Sequence, residues 1–195
     1  MLPETDEMKS LRKRKTQRLF VALELPEDLL ARLEALKPEF PGIPWTPRNN
    51  LHLTLRFIGN VPEEDIPGIR AALRTVRAGC FFLRVRGLGI FAQSRQTILW
   101  AGLEPSADLL VLKRRVDAAL EGGPALAMVS GRFAPHITLS RMRKNRPETL
   151  RRFVGDHAET DLGKFHVISF ALFRSELAPG GAVHSLEEAY PLFPA

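Results

Sequence analysis

A chain of 195 residues with 45% hydrophobic and 26% charged side chains has the balance of a soluble globular protein, long enough to bury a core as one domain or two small lobes. Its longest apolar runs, such as Leu19 to Leu25, are far too short to cross a bilayer, so no membrane association is expected. The net charge of +6 favours an acidic partner such as nucleic acid, though many basic proteins bind none.

The single cysteine, Cys80, cannot close an internal disulfide, which points to a reducing, cytoplasmic setting. No Cys or His cluster has metal-ligand spacing, so no metal and no cofactor are expected. Residues 1–17 carry Lys9, Arg12, Lys13, Arg14 and Lys15 against Glu4, Asp6 and Glu7, a surplus of two that leaves four positive charges on the remainder. This segment is polar and without the apolar run of a signal peptide. It reads as a basic disordered tail, with a grip on a phosphate backbone as the alternative.

After the tail comes a predicted strand over 18–25, then a helix that Pro26 opens, with Leu29, Leu30, Leu33 and Leu36 as its apolar stripe. A proline-rich loop leads to a strand over 51–58, which Gly59-Asn60 breaks. Glu63, Glu64 and Asp65 suit the positive start of a second helix over 62–76, and a strand follows over 81–91. The order then repeats: strand 98–103, helix 108–120, strand 136–140, helix 147–158 and strand 165–173. A hairpin at Pro179-Gly180-Gly181 and a strand over 183–191 end the chain. Pro62 with Pro147, Phe81 with Phe165, and His52 with His136 lie 84 or 85 positions apart. The expectation is therefore α+β: two pseudo-symmetric lobes, each a mainly antiparallel sheet with helices outside, around a central groove. One bilobal domain over 18–195 would hold repeat units over about 18–91 and 97–175.

The chemistry sits in Leu51-His52-Leu53-Thr54-Leu55 and Pro135-His136-Ile137-Thr138-Leu139. Strand side chains alternate, so His52 and Thr54 share one face while Leu53 and Leu55 take the other, and the second motif does likewise. A neutral imidazole can take a proton from water attacking phosphorus, and an imidazolium can give one to a departing ribose oxygen. The threonine hydroxyls can hold the non-bridging oxygens, and no metal is required.

These motifs resemble the two-histidine (2H) phosphoesterase superfamily, specifically its LigT-like RNA 2′,3′-cyclic phosphodiesterases, also called 2′-5′ RNA ligases. Arg18-Leu19-Phe20-Val21-Ala22 resembles the family's opening strand. Trp45 with the segment from Leu51 to Gly59 resembles its first motif region, and Phe133-Ala134-Pro135-His136-Ile137-Thr138-Leu139-Ser140-Arg141 its second. The resemblance runs from Arg18 to the C-terminus, with Arg56 where many relatives carry lysine. It implies hydrolysis of RNA 2′,3′-cyclic ends, or of small cyclic-phosphate nucleotides, to 2′-phosphomonoesters. Reverse 2′-5′ joining is implied too. His52 would be the acid and His136 the base, although the near-symmetric motifs do not themselves assign those roles.

Arg132, Arg56 and Arg141 are candidate phosphate contacts. Arg132 enters the second motif strand, and Arg56 shares the parity of His52 and Thr54. Arg141, five residues after His136, faces away unless the strand bends. Trp45 and Phe133 are candidates to stack on a base, with a core role as the alternative. His157, His166 and His184 lack a threonine partner and read as ordinary residues. A non-catalytic RNA- or nucleotide-binding module and a metallohydrolase are the competing functions, and a monomer is expected.

Overall fold

The structure, a computed structural model, describes residues 15–38, 43–92, 96–122, 133–143, 148–179 and 181–194. Among them are eight strands: β1 (Thr16–Leu23), β2 (Leu53–Pro62), β3 (Phe81–Ala92), β4 (Gln96–Leu103), β5 (Ile137–Arg143), β6 (Asp161–Val167), β7 (Ser169–Ala178) and β8 (Gly181–Pro191). Four helices accompany them: α1 (Glu27–Ala35), α2 (Ile66–Leu73), α3 (Ala107–Leu120) and α4 (Glu148–Asp156). Ser106 caps α3 by accepting the Leu109 N–H at 3.2 Å. Thr16 and Gln17, expected in the tail, already belong to β1; the segment before residue 15 lies outside the described residues.

The strands form one antiparallel sheet in the order β6-β3-β4-β5-β2-β1-β7-β8. Two four-strand halves meet at its middle, where β2 and β5 pair only through Leu53 and Ile137. Leu53 follows His52 and Ile137 follows His136, so this one bridge lies where a pseudo-twofold axis would exchange the motifs.

The third strands are exchanged between halves: β3 pairs with β4, and β7 returns to pair with β1. The strand expected over 165–173 breaks at the exposed Ile168 for this reason. Its first part, β6, stays on the outer edge of β3, and its second part crosses to the other half. Leu83 consequently faces Phe165 across a ladder, so the spacing of Phe81 and Phe165 does not mark equivalent strand positions.

The helices bury Leu29 and Leu33, Ile69 and Leu73, Leu109, Leu112 and Val116, and Leu150 in the same cluster as Leu19, Val21, Leu53, Leu55, Ile137 and Leu139. Alternation then turns Phe20, Ala22, His52 and Thr54 to the helix-free face.

Candidate active site

Both histidines are oriented by their own backbone. His52 Nδ1 lies 2.7 Å from the Asn50 carbonyl oxygen and His136 Nδ1 lies 2.8 Å from that of Ala134. A carbonyl only accepts, so each Nδ1 carries the hydrogen and each Nε2 is left for chemistry. His52 Nε2 receives the Thr54 hydroxyl at 3.0 Å. With Leu53 opposite Ile137, His52 falls across from Thr138 and His136 across from Thr54. His52 and His136 are then diagonal neighbours across the seam, a relation that spans about 7–8 Å in a regular antiparallel pair. That span suits one phosphate bonded on two sides.

Aromatic rings fix both imidazoles. Phe20 lies 4.8 Å from His52 and stacks on Phe173 at 5.3 Å. Phe91 meets His136 edge-on at 4.9 Å and Trp100 at 5.0 Å. Trp100 lies over its ladder partner Gly89, where a Cβ would come within 2.1 Å of the indole. Gly89 thus makes room for the ring stack that supports His136.

A shared distortion decides which arginine reaches the groove. In β5, Ser140 pairs with Leu99 and Thr138 with Trp100, leaving Leu139 as an extra residue. The bulge reverses the alternation: Ser140 turns inward, its hydroxyl donating to the Pro44 carbonyl at 2.8 Å, and Arg141 emerges on the histidine face. Thr46 N–H occupies the Leu139 carbonyl at 2.7 Å. The bend on which the sequence made a groove-facing Arg141 depend is present in β5.

The same bulge occurs at Leu55, since Val21 pairs with Arg56 and Ala22 with Thr54. Arg56 therefore shares the helix-covered face of Val21, where it pairs with Asp117 of α3 at 2.9 Å. This corrects the expectation that Arg56 extends along the groove. The equivalent of Arg141 here is Phe57, exposed beside Phe20 at 6.1 Å.

Trp45 and Phe133 are corrected in the same sense. Trp45 bridges to Ser140 and packs against the core, as does Phe133, whose ring carries the Lys113 ammonium of α3 at 5.4 Å. Arg132 lies outside the described residues.

Sequence reasoning missed His184 of β8, whose ring meets His52 edge-on at 5.3 Å and Phe20 at 4.9 Å. Its signal was invisible because β8 reaches the site only through the β7–β8 hairpin, in which Ser175 pairs with His184. Arg18, also paired with Ser175, completes the cationic rim. His166 stacks on Phe82 at 4.6 Å on the far edge strands, as an ordinary residue.

Burial, with lesser help from His184, Arg141 and His136, pushes His52 down to about 4. Burial also lowers His136, with Arg141 adding to it, and lowers His184 beside Arg18 and Arg141. Even Arg141 is lowered, by burial and then Arg18. A groove that disfavours every added proton is one whose charge an anion would balance. No group of three or more His, Cys, Asp or Glu among the described residues could hold a metal ion.

Fold and paired motifs define a class: bilobal α+β proteins built for phosphoester chemistry. A family model described as LigT like Phosphoesterase matches residues 23–100. The RNA 2′,3′-cyclic phosphodiesterase of Thermus thermophilus is 34% identical over 185 residues, 90% of each chain. That of Methanothermobacter thermautotrophicus is 29% identical over 184 residues, 90% of this chain and 98% of its own. The crystal structure of E. coli LigT complexed with phosphate has a TM-score of 0.73 at 25% identity, covering 92% of this chain and 99% of that one. The chain belongs to the LigT-like phosphoesterases.

Proposed function

We propose that the protein hydrolyses RNA 2′,3′-cyclic phosphate ends, or small nucleotides carrying that group, to 2′-phosphomonoesters, with His52 and His136 as its acid–base pair. It works as a monomer in the cytoplasm, without metal or cofactor. The observation that carries this reading is the single bridge between Leu53 and Ile137, which sets two carbonyl-oriented imidazoles on either side of one seam. The relatives' names as RNA 2′,3′-cyclic phosphodiesterases support the substrate.

In this mechanism water attacks phosphorus as His136 Nε2 takes its proton. The P–O3′ bond breaks, and the leaving 3′ oxygen receives the proton held on His52 Nε2. Burial keeps His52 neutral in the free protein near pH 7, and the phosphodiester anion raises it so that it arrives at the reaction protonated. Arg141, Thr54 and Thr138 hold the non-bridging oxygens as negative charge grows. After turnover the protons have changed places, His136 bearing one and His52 none. In 2′-5′ joining an RNA 5′-hydroxyl takes the place of water: His136 takes its proton, the P–O3′ bond breaks, and His52 protonates the departing 3′ oxygen.

A short RNA ending in 2′,3′-cyclic phosphate, incubated with EDTA, should yield the 2′-phosphate. His52→Ala and His136→Ala should each cost at least about 10²-fold in kcat/KM. Near-full activity in either variant, or turnover only when a divalent metal is restored, overturns the mechanism. Tight RNA binding with no product from mildly acidic to mildly alkaline pH would establish the non-catalytic module instead.

A further inference from the structure

A cavity of about 690 Å³ lies at the start of β1, where that strand runs between β2 and β7. Asn60, Arg18 and Ser175 stand across it in one ladder row, since Arg18 pairs with both of the others. Alternation from Phe20 puts this row on the helix-free face that carries His52. The next row toward the histidines is Phe57, Phe20 and Phe173, about 7 Å along the strands. Phe20 lies 4.8 Å from His52, so one row of apolar rings separates Arg18 from the catalytic groove.

The other charges lining the cavity are balanced. Lys15 and Gln17 both reach Glu63 at 3.1 Å, and Arg174 reaches Glu176 at 3.3 Å. Arg18 is exposed and has no carboxylate partner among the described residues. The groups it acts on carry its own sign: after burial, it is Arg18 that lowers both Arg141 and His184. A guanidinium left uncompensated among other cations attracts an anion, and the Asn60 amide and Ser175 hydroxyl add neutral donors on either side of it.

An RNA 3′ end seated between His52 and His136 has its remaining phosphates only on its 5′ side. The phenylalanine row offers them no charge, and Arg18 is the cation beyond it. We propose that Arg18, flanked by Asn60 and Ser175, is a substrate-binding residue that grips the phosphodiester next to the cyclic end, so that the protein prefers an RNA chain to a free cyclic mononucleotide. The inference rests on the function proposed above, because the cyclic phosphate at the histidines is what lays the rest of the RNA over β1.

The test compares a 2′,3′-cyclic mononucleotide, which has no second phosphate, with a short RNA ending in the same cyclic nucleotide. In the wild type the RNA should have the lower KM by about tenfold. Replacing only its last internal phosphodiester with an uncharged methylphosphonate, with a 2′-O-methyl ribose before that linkage in both RNAs, should remove most of the advantage. That readout needs no variant to fold. Arg18→Gln should raise KM for the RNA at least about fivefold more than KM for the mononucleotide, and Arg18→Lys should recover part of the difference. The dependence of log KM on log salt for the RNA should also flatten by about 0.7 in Arg18→Gln, as expected for one lost phosphate contact on a single strand. An equal rise in KM for both substrates would place Arg18 at the reacting phosphate alone and overturn the proposal, as would a methylphosphonate RNA turned over as well as the native one. Failure of the proposed reaction is read separately. If neither substrate is turned over, calorimetry with the same RNAs ending in 2′-phosphate still decides the contact: binding about tenfold weaker with the methylphosphonate supports it, and equal binding overturns it.

Discussion

A histidine whose ring is walled by Phe20, His184 and its own backbone gives up its proton early. His52 sits at about 4 in the folded protein, against about 6.5 for an unperturbed side chain. Between those values the unfolded chain binds the extra proton and the native state does not. Stability from this group is complete above about 6.5 and is lost as pH falls toward 4. The expected result is a denaturation midpoint that drops across that window and drops less in saturating phosphate, whose charge favours the imidazolium. A midpoint independent of phosphate over the same range would show that no anion meets His52. The hydroxyl beside it makes a finer prediction. Thr54→Val removes the donor at 3.0 Å from Nε2 and one contact to the non-bridging oxygens, so kcat should fall about tenfold while the fold persists. Unchanged kcat would assign Thr54 to packing alone.

Single extra residues at Leu55 and Leu139 decide more of the site than any motif does. Each follows a His-x-Thr segment, and each turns the next side chain inward and the one after it outward. The alternation of Leu53, Thr54 and Leu55 was legible because a strand's period of two is forced by its backbone. The bulges were not, since nothing about a leucine marks it as the unpaired residue of a ladder; its partners across the sheet decide that. Arg56 and Arg141 therefore exchanged their expected places. Arg141→Gln should weaken phosphate binding about tenfold or more, because a guanidinium leaves the rim of the groove. Arg56→Gln should leave kcat/KM within about twofold and cost about 1 kcal/mol or less, since Asp117 keeps Lys113 as a partner. Equal effects on phosphate binding by the two variants would contradict the bulge geometry.

At the scale of the molecule, the duplicated order of strands and helices was readable from leucine spacing and from the offset of the two histidines, but the path between halves was not. The break at Ile168 is set by where β6 and β7 find hydrogen-bond partners, one beside β3 and the other beside β1, and that information lies in distant segments. Its consequence is mechanical. The first half of the sheet is completed by β7 and β8 from the end of the chain, and the second by β3 from its middle. Core side chains from both halves, Leu19 and Leu99 among them, belong to one continuous cluster. Neither half can bury its apolar face alone, so the lobes should unfold together although β2 and β5 pair at a single residue. Trp45, at the seam beside β5, and Trp100, within β4, report by fluorescence on the region around the second motif, whereas far-UV circular dichroism reports on the whole sheet. The two signals should trace one coincident transition in denaturant. Phosphate should shift both midpoints equally, because a ligand that binds only the native state stabilises everything that unfolds with it. If the fluorescence transition separated from the circular dichroism, or moved alone with phosphate, the halves would be independent units, and the exchanged third strands could not be what keeps the two histidines in register.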